Sequence, residues 1–198
     1  MLIRCRIGNM SEILDIVNDS DEVIGQAERD RVHREGLVCR LVYVCFYTAN
    51  REVILQKRSD TKKNDPGKLT TTVSGHVASG QTYLEAAVRE TVEESGIEVS
   101  REDLRNLGVM RADYVQGDYL SNAMRGLFAY RFDGSASDLK VEDGDGAGFE
   151  TFDIDELERE LASNPDRFAV VLADEVGRSL VRNVKALLTV RNPIWVQS

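Results

Sequence analysis

The chain has 198 residues, 42% of them hydrophobic and 30% charged, which suits a soluble globular protein with enough apolar material for a core. A formal net charge of −9 argues against a nucleic-acid partner, because phosphate backbones are bound by basic surfaces. It does not exclude a small phosphorylated ligand, since a bound divalent cation inverts the local field.

The cysteines Cys5, Cys39 and Cys45 show no zinc-type spacing, and an odd count fits a reducing compartment. No apolar run reaches the length of a membrane span and no signal peptide is evident, so a cytoplasmic protein without a membrane partner is expected. Residues 1–9 differ in character from the rest of the chain and read as an N-terminal extension, with 10–198 forming one domain.

In chain order, 12–17 and 22–27 flank the turn-rich NDSD and predict a hairpin. ERDRVHREG predicts a short helix or turn ending at Gly36. Residues 40–48 and 52–59 read as strands, the first nearly all apolar after Arg40, as a central strand should be. DTKKNDPGK is a basic loop with a Pro-Gly turn, followed by the short strand LTTTVSG. Thr82-Tyr83-Leu84-Glu85 has the form of a capping box, opening a helix that runs to about Ser95 and stops at Gly96. Further strands are predicted at 106–114, 124–132 and 148–153, then a helix over 155–163 and a longer one over 168–189. Mixed strands with separated helices indicate an α+β or α/β/α arrangement. The single tryptophan, Trp195, reads as an anchor for the C-terminal tail.

The capped helix concentrates carboxylates. Helical spacing places Glu90, Glu93 and Glu94 on one arc, away from the stripe of Leu84 and Val88, with Arg89 bordering the arc at i,i+4 from both Glu85 and Glu93. Glu90 and Glu94 repel as a like-charged i,i+4 pair, and a hard divalent cation relieves such repulsion. The helix alone also suits an ordinary solvated acidic face.

Its spacing resembles the Nudix box, G-x5-E-x7-R-E-U-x-E-E-x-G-U with U aliphatic. Gly75, Arg89, Glu90, Glu93, Glu94, Gly96 and Ile97 match in register, while Gln81 stands for the first glutamate and Thr91 for an aliphatic residue. The resemblance implies a Nudix-type α/β/α sandwich with a mixed β-sheet. It also implies a hydrolase that cleaves a diphosphate linkage in a nucleoside diphosphate derivative or another organic diphosphate, using Mg2+ (or Mn2+). Glu90, Glu93, Glu94 and Gly75 would be the metal ligands, with one glutamate doubling as the base, and Arg89 would orient a carboxylate.

Residues 12–97 further resemble the isopentenyl-diphosphate isomerase-like branch, which holds both isomerases and hydrolases. Arg58, Lys62 and Lys63 lie where that branch supplies cations to a diphosphate; an ordinary basic loop is the plain alternative. The isomerases carry a cysteine before Gly-His, whereas here Ser74 precedes Gly75-His76. SNAMRGLFAY lacks the second catalytic glutamate, and Cys39 stands where a metal-binding histidine is expected. His76 then reads as a structural residue or one that supports a ligand, and Cys39 and Cys45 as core. A metal-dependent hydrolase leads; an allylic-diphosphate isomerase and a non-catalytic binding module are the alternatives. A homodimer is compatible with the sequence.

Overall fold

The computed structural model describes residues 12–141 and 146–189; the proposed extension over 1–9 and Trp195 lie outside them. The chain order is β1 (Ile13–Val17), β2 (Val23–Glu28), α1 (Arg29–Glu35), β3 (Val38–Tyr47), β4 (Glu52–Arg58), β5 (Leu69–Thr70) and β6 (Val73–His76). It continues with α2 (Tyr83–Ser95), β7 (Leu104–Gln116), β8 (Tyr119–Arg131), β9 (Gly146–Asp153), α3 (Ile154–Ser163), α4 (Val170–Ala173) and α5 (Glu175–Thr189).

β1 and β2 form a separate antiparallel hairpin. The other strands make a seven-stranded mixed sheet along the path β5-β4-β3-β8-β7, with β6 added to β3 and β9 to β4. Only the β3–β8 pairing is parallel among the described strands. β3 is central and covered on both sides, which is why its sequence runs apolar with little alternation. Tyr43 and Cys45 face a core shared with α3, α4 and α5, whereas Val42, Val44 and Phe46 face α2. The architecture is the expected α+β sandwich.

Two expectations need correction. The single strand predicted over LTTTVSG is two, β5 and β6, because the chain crosses from β4 to β3 between Thr70 and Val73. The long final helix is broken at Asp174, whose backbone is extended and whose Oδ1 accepts the Gly177 amide at 2.9 Å, capping a new helix. Among the described residues no helix is long and apolar enough to cross a membrane.

Candidate active site

α2 begins with both halves of its capping box formed: Thr82 Oγ1 accepts the Glu85 amide at 3.2 Å, and Glu85 Oε2 accepts the Thr82 amide at 3.0 Å. It ends at Gly96 in the left-handed region. The loop leading into it is pinned from the N-terminal hairpin. Asp15 accepts Ser79 Oγ at 2.7 Å, the Gly80 amide at 3.0 Å and Gln26 Nε2 at 3.1 Å. Burial opposes the Asp15 charge, but these bonds outweigh it and hold its pKa below the usual value. Gln81 closes the same loop by accepting the Ala78 amide at 3.3 Å, so its amide serves the turn.

The face that α2 buries differs from the one its aliphatic residues suggest. Ala86, Ala87, Glu90, Thr91, Glu94 and Ser95 are buried, while Leu84 and Val88 lie at the margin. Glu90 and Glu94 therefore point toward β6, and the buried face of α2 is centred on the arc that bears them rather than on the aliphatic stripe. Gly75 is the reason they fit: a Cβ there would collide with the Glu90 carboxyl carbon. Glu94 Oε2 accepts the Ser74 amide at 3.1 Å, so adjacent residues of β6 meet both buried carboxylates.

Arg89 ties this arrangement together. Its guanidinium contacts Glu90 at 2.8 Å and Glu93 at 2.8 Å, and donates to the His76 carbonyl at 2.9 Å. The expected Glu85 pair does not form, because Glu85 is taken by the cap and by Arg101 at 2.8 Å. Burial pushes the Glu90 pKa up to about 7, against the pull of Arg89, and neighbouring Glu93 adds to the rise. Such a carboxyl changes its protonation near neutral pH.

As the side chains stand, no three His, Cys, Asp or Glu among the described residues converge closely enough to hold a metal ion. Glu93, half exposed, is turned to Arg89 instead. The donor set nonetheless suits a hard divalent cation: oxygen ligands, one of them desolvated and raised in pKa, beside a glycine that leaves room for the backbone.

The cation loop lies apart from α2 along the chain, between β4 and β5. Arg58 is half-buried and donates through Nε to the Asn64 carbonyl at 3.0 Å, shaping the loop; Lys63 is exposed. Lys62 is part-buried, and its amide bonds to the Ser59 carbonyl at 3.1 Å.

Two groupings were not legible in the sequence. His33 from α1 and His76 from β6 meet at 2.8 Å between their Nε2 atoms. His33 Nδ1 must donate to the Leu120 carbonyl at 3.0 Å, which leaves the single lone pair of its Nε2 to accept from His76, with the Tyr119 hydroxyl 3.1 Å away competing for it. Burial holds both imidazoles below their usual pKa, most strongly His76. The second grouping surrounds Arg125 on β8, whose side chain is 0% exposed. An arginine within an otherwise apolar strand segment is its only sequence signal. Cys39 and Cys45 are core residues whose thiols burial pushes up to about 12.

The NUDIX domain model matches residues 39–172. An isopentenyl-diphosphate Delta-isomerase of Serratia proteamaculans is 28% identical over 161 residues, 81% of this chain and 87% of the relative. An uncharacterized Nudix hydrolase of Escherichia coli K12 is 38% identical over 87 residues, 44% of this chain and 48% of the relative, so that match spans about half of the relative's length. A protein of Deinococcus radiodurans with a known crystal structure superposes with a TM-score of 0.68 at 27% identity, over 87% of this chain and 98% of the other. With the family model covering well over half of the sequence and the box residues grouped between α2 and β6, the chain belongs to the Nudix family.

Proposed function

We propose that the chain hydrolyses the diphosphate linkage of a nucleoside diphosphate derivative or another small organic diphosphate with the help of Mg2+ or Mn2+. The observation that carries this reading is the pair of carboxylates, Glu90 and Glu94, buried against Gly75 and Ser74 with Arg89 between the helix and the strand. Glu90, Glu93, Glu94 and the Gly75 carbonyl would hold the cation. When bound, it would neutralise diphosphate oxygens and acidify the attacking water.

The chain's own residues supply the rest. Arg89 fixes the orientation of Glu90 and Glu93 and ties α2 to the His76 backbone. Glu90, with its pKa near neutral, is the candidate to take a proton from water. Arg58, Lys62 and Lys63 would meet the phosphate charges from the β4–β5 loop.

The test is a cation-supplemented screen of organic diphosphates with product analysis. Glu93→Gln and Glu94→Gln should each lower kcat/KM by about a hundredfold or more. Unchanged turnover in both variants rejects the assignment.

The 28% identity to the Serratia isomerase favours a second reading, isomerisation of an allylic diphosphate. That chemistry needs an acid–base group at the position of Ser74, where a hydroxyl is a poor replacement for a thiol of pKa about 8.5. It would incorporate solvent deuterium into the substrate without releasing phosphate; no incorporation at saturating substrate disposes of it.

A further inference from the structure

Arg125 lies on the face of the sheet opposite α2. Its Nη1 donates to Asp174 Oδ2 at 2.9 Å, and its guanidinium carbon sits 5.6 Å from the centre of the Tyr43 ring and 5.5 Å from that of Tyr114. Asp174 is itself fixed by the Gly177 amide, and Gly177 packs so closely on the Leu172 backbone that no side chain fits there. The guanidinium is thus held at one end and between two rings. Its Nε and Nη2, however, are buried and have no hydrogen-bond partner among the described residues; nor does the hydroxyl of Tyr43, a residue that is 2% exposed. Leaving two donors of a charged group unmet in a protein interior is costly, and natural structures rarely do so without a use.

The two unmet donors are not an arbitrary pair. Nε–H and the adjacent Nη2–H run parallel along one edge of the guanidinium, the fork that grips two neighbouring acceptors at once. The strand register puts Arg125 two strands from β6, with its side chain on the face shared by Tyr43 and Ser74 and opposite the one on which Gly75 meets Glu90. Leu41 of β3 pairs with His76 on one side and Arg125 on the other, so the two backbones lie about 10 Å apart at ordinary strand spacing. Tyr43 is directly opposite Ser74, whose amide holds Glu94.

We propose that Arg125 and the Tyr43 hydroxyl recognise the organic part of the ligand, selecting a planar group with two adjacent acceptor atoms. A carboxylate has this chemistry, as do the O2/N3 edge of cytosine and the O6/N7 edge of guanine; uracil and adenine offer no such pair. The location two strands from a diphosphate site rests on the function proposed above, but the recognition chemistry does not.

Thermal unfolding with millimolar CMP, GMP, UMP, AMP or benzoate, without added cation, tests it. CMP, GMP or benzoate should raise Tm by a few degrees while UMP and AMP do not, and Arg125→Lys, which keeps the charge but loses the fork, should abolish the shift. Tyr43→Phe removes an unpartnered hydroxyl, so it should keep the wild-type Tm yet weaken the ligand response severalfold. Arg125→Met, matched in length and apolar, replaces the lysine variant if that does not fold; if neither folds, the Tyr43→Phe comparison decides. A shift from nucleotides alone assigns a base edge, and one from benzoate alone a carboxylate. Equal shifts from all four nucleotides, shifts that survive these substitutions, or no shift from any probe overturn the proposal. Because none of the probes holds a diphosphate linkage, selective binding without any hydrolase activity would remove the function proposed above and leave this inference standing. Cation-dependent hydrolysis with every probe silent would do the reverse.

Discussion

The two faces of the mixed sheet are covered by helices of different kinds. On one side α3, α4 and α5 contribute Leu157, Leu161, Leu172, Leu180 and Val184 to a core with Leu55 and Leu127 of the sheet. On the other, the fully buried apolar residues of α2 are only Ala86 and Ala87, and the same buried stripe includes Glu90 and Glu94. The first face gains stability in proportion to the large aliphatic area it removes from water. The second buries carboxyl groups, which oppose folding unless they are paired or protonated. The difference separates the main source of stability from the buried carboxylates of the candidate site: one helical layer anchors the sheet through aliphatic area, with the Arg125–Asp174 pair as its charged exception, and the other holds Glu90 and Glu94 while capped and tied by Arg89.

Truncating the anchoring layer should have the largest effect. Leu127→Ala removes a fully buried side chain at the centre of the α3–α5 face and should lower the unfolding free energy by about 3–4 kcal/mol, read as a fall in the urea midpoint. A loss no larger than that of an exposed alanine substitution would mean that this face is not the anchor.

The α2 face should show the opposite sign. The Glu90 pKa in the folded chain lies at about 7, above its ordinary value of 4.5. The stabilisation linked to its protonation is therefore complete below pH 4.5 and is lost as the pH rises through 7. Glu90→Gln mimics the protonated form, so without added cation it should stabilise the chain at pH 8 by up to about 3 kcal/mol and change little at pH 4.5. Urea unfolding at the two pH values measures this. A variant less stable than wild type at pH 8 would show that the Arg89 ion pair outweighs desolvation.

Gly75→Ala probes the contact between the two elements. The added methyl meets the Glu90 carboxyl, and overpacking of this kind costs about 2 kcal/mol. In a Glu90→Ala background most of that penalty should vanish, since the colliding group is gone. Additive losses in the double variant would place the strain in the backbone of β6 and not in this contact.

Much of this division was readable in advance, for local reasons. The capping box, the Gly96 stop and the box spacing are properties of neighbouring residues, so α2 runs over Tyr83–Ser95 as the sequence implies. The hairpin and β3 were legible from turn residues and apolar runs. What the helical pattern could not reveal is which arc of α2 faces the sheet. That depends on Gly75, a residue of another element whose missing side chain admits Glu90. The break at Asp174 was hidden for a related reason, because its side chain answers to Arg125 from a distant strand as well as to Gly177. The meeting of His33 with His76 likewise needs the fold to bring α1 against β6.

The smallest effect tests whether α2 depends on its ends. With little aliphatic area to fasten it, the helix relies more than its counterparts on the bonds that satisfy its first amides. Thr82→Ala removes the hydroxyl that accepts the Glu85 amide and leaves the Glu85 carboxylate, which also meets Arg101 at an exposed position, without one of its partners. The exposed ion pair adds little, so the loss should be that of a single cap, about 1 kcal/mol in urea unfolding. Glu90 and Glu94 sit two and three turns further along and are held by Arg89 and the Ser74 amide, so kcat/KM should stay within about threefold of wild type once a substrate is known. If activity instead fell a hundredfold for that 1 kcal/mol, the first turn of α2 and the Ala78–Gln81 turn before it would be setting the position of the carboxylates. The division between the anchoring face and the face that bears the carboxylates would then have to run through the loop as well as the helix.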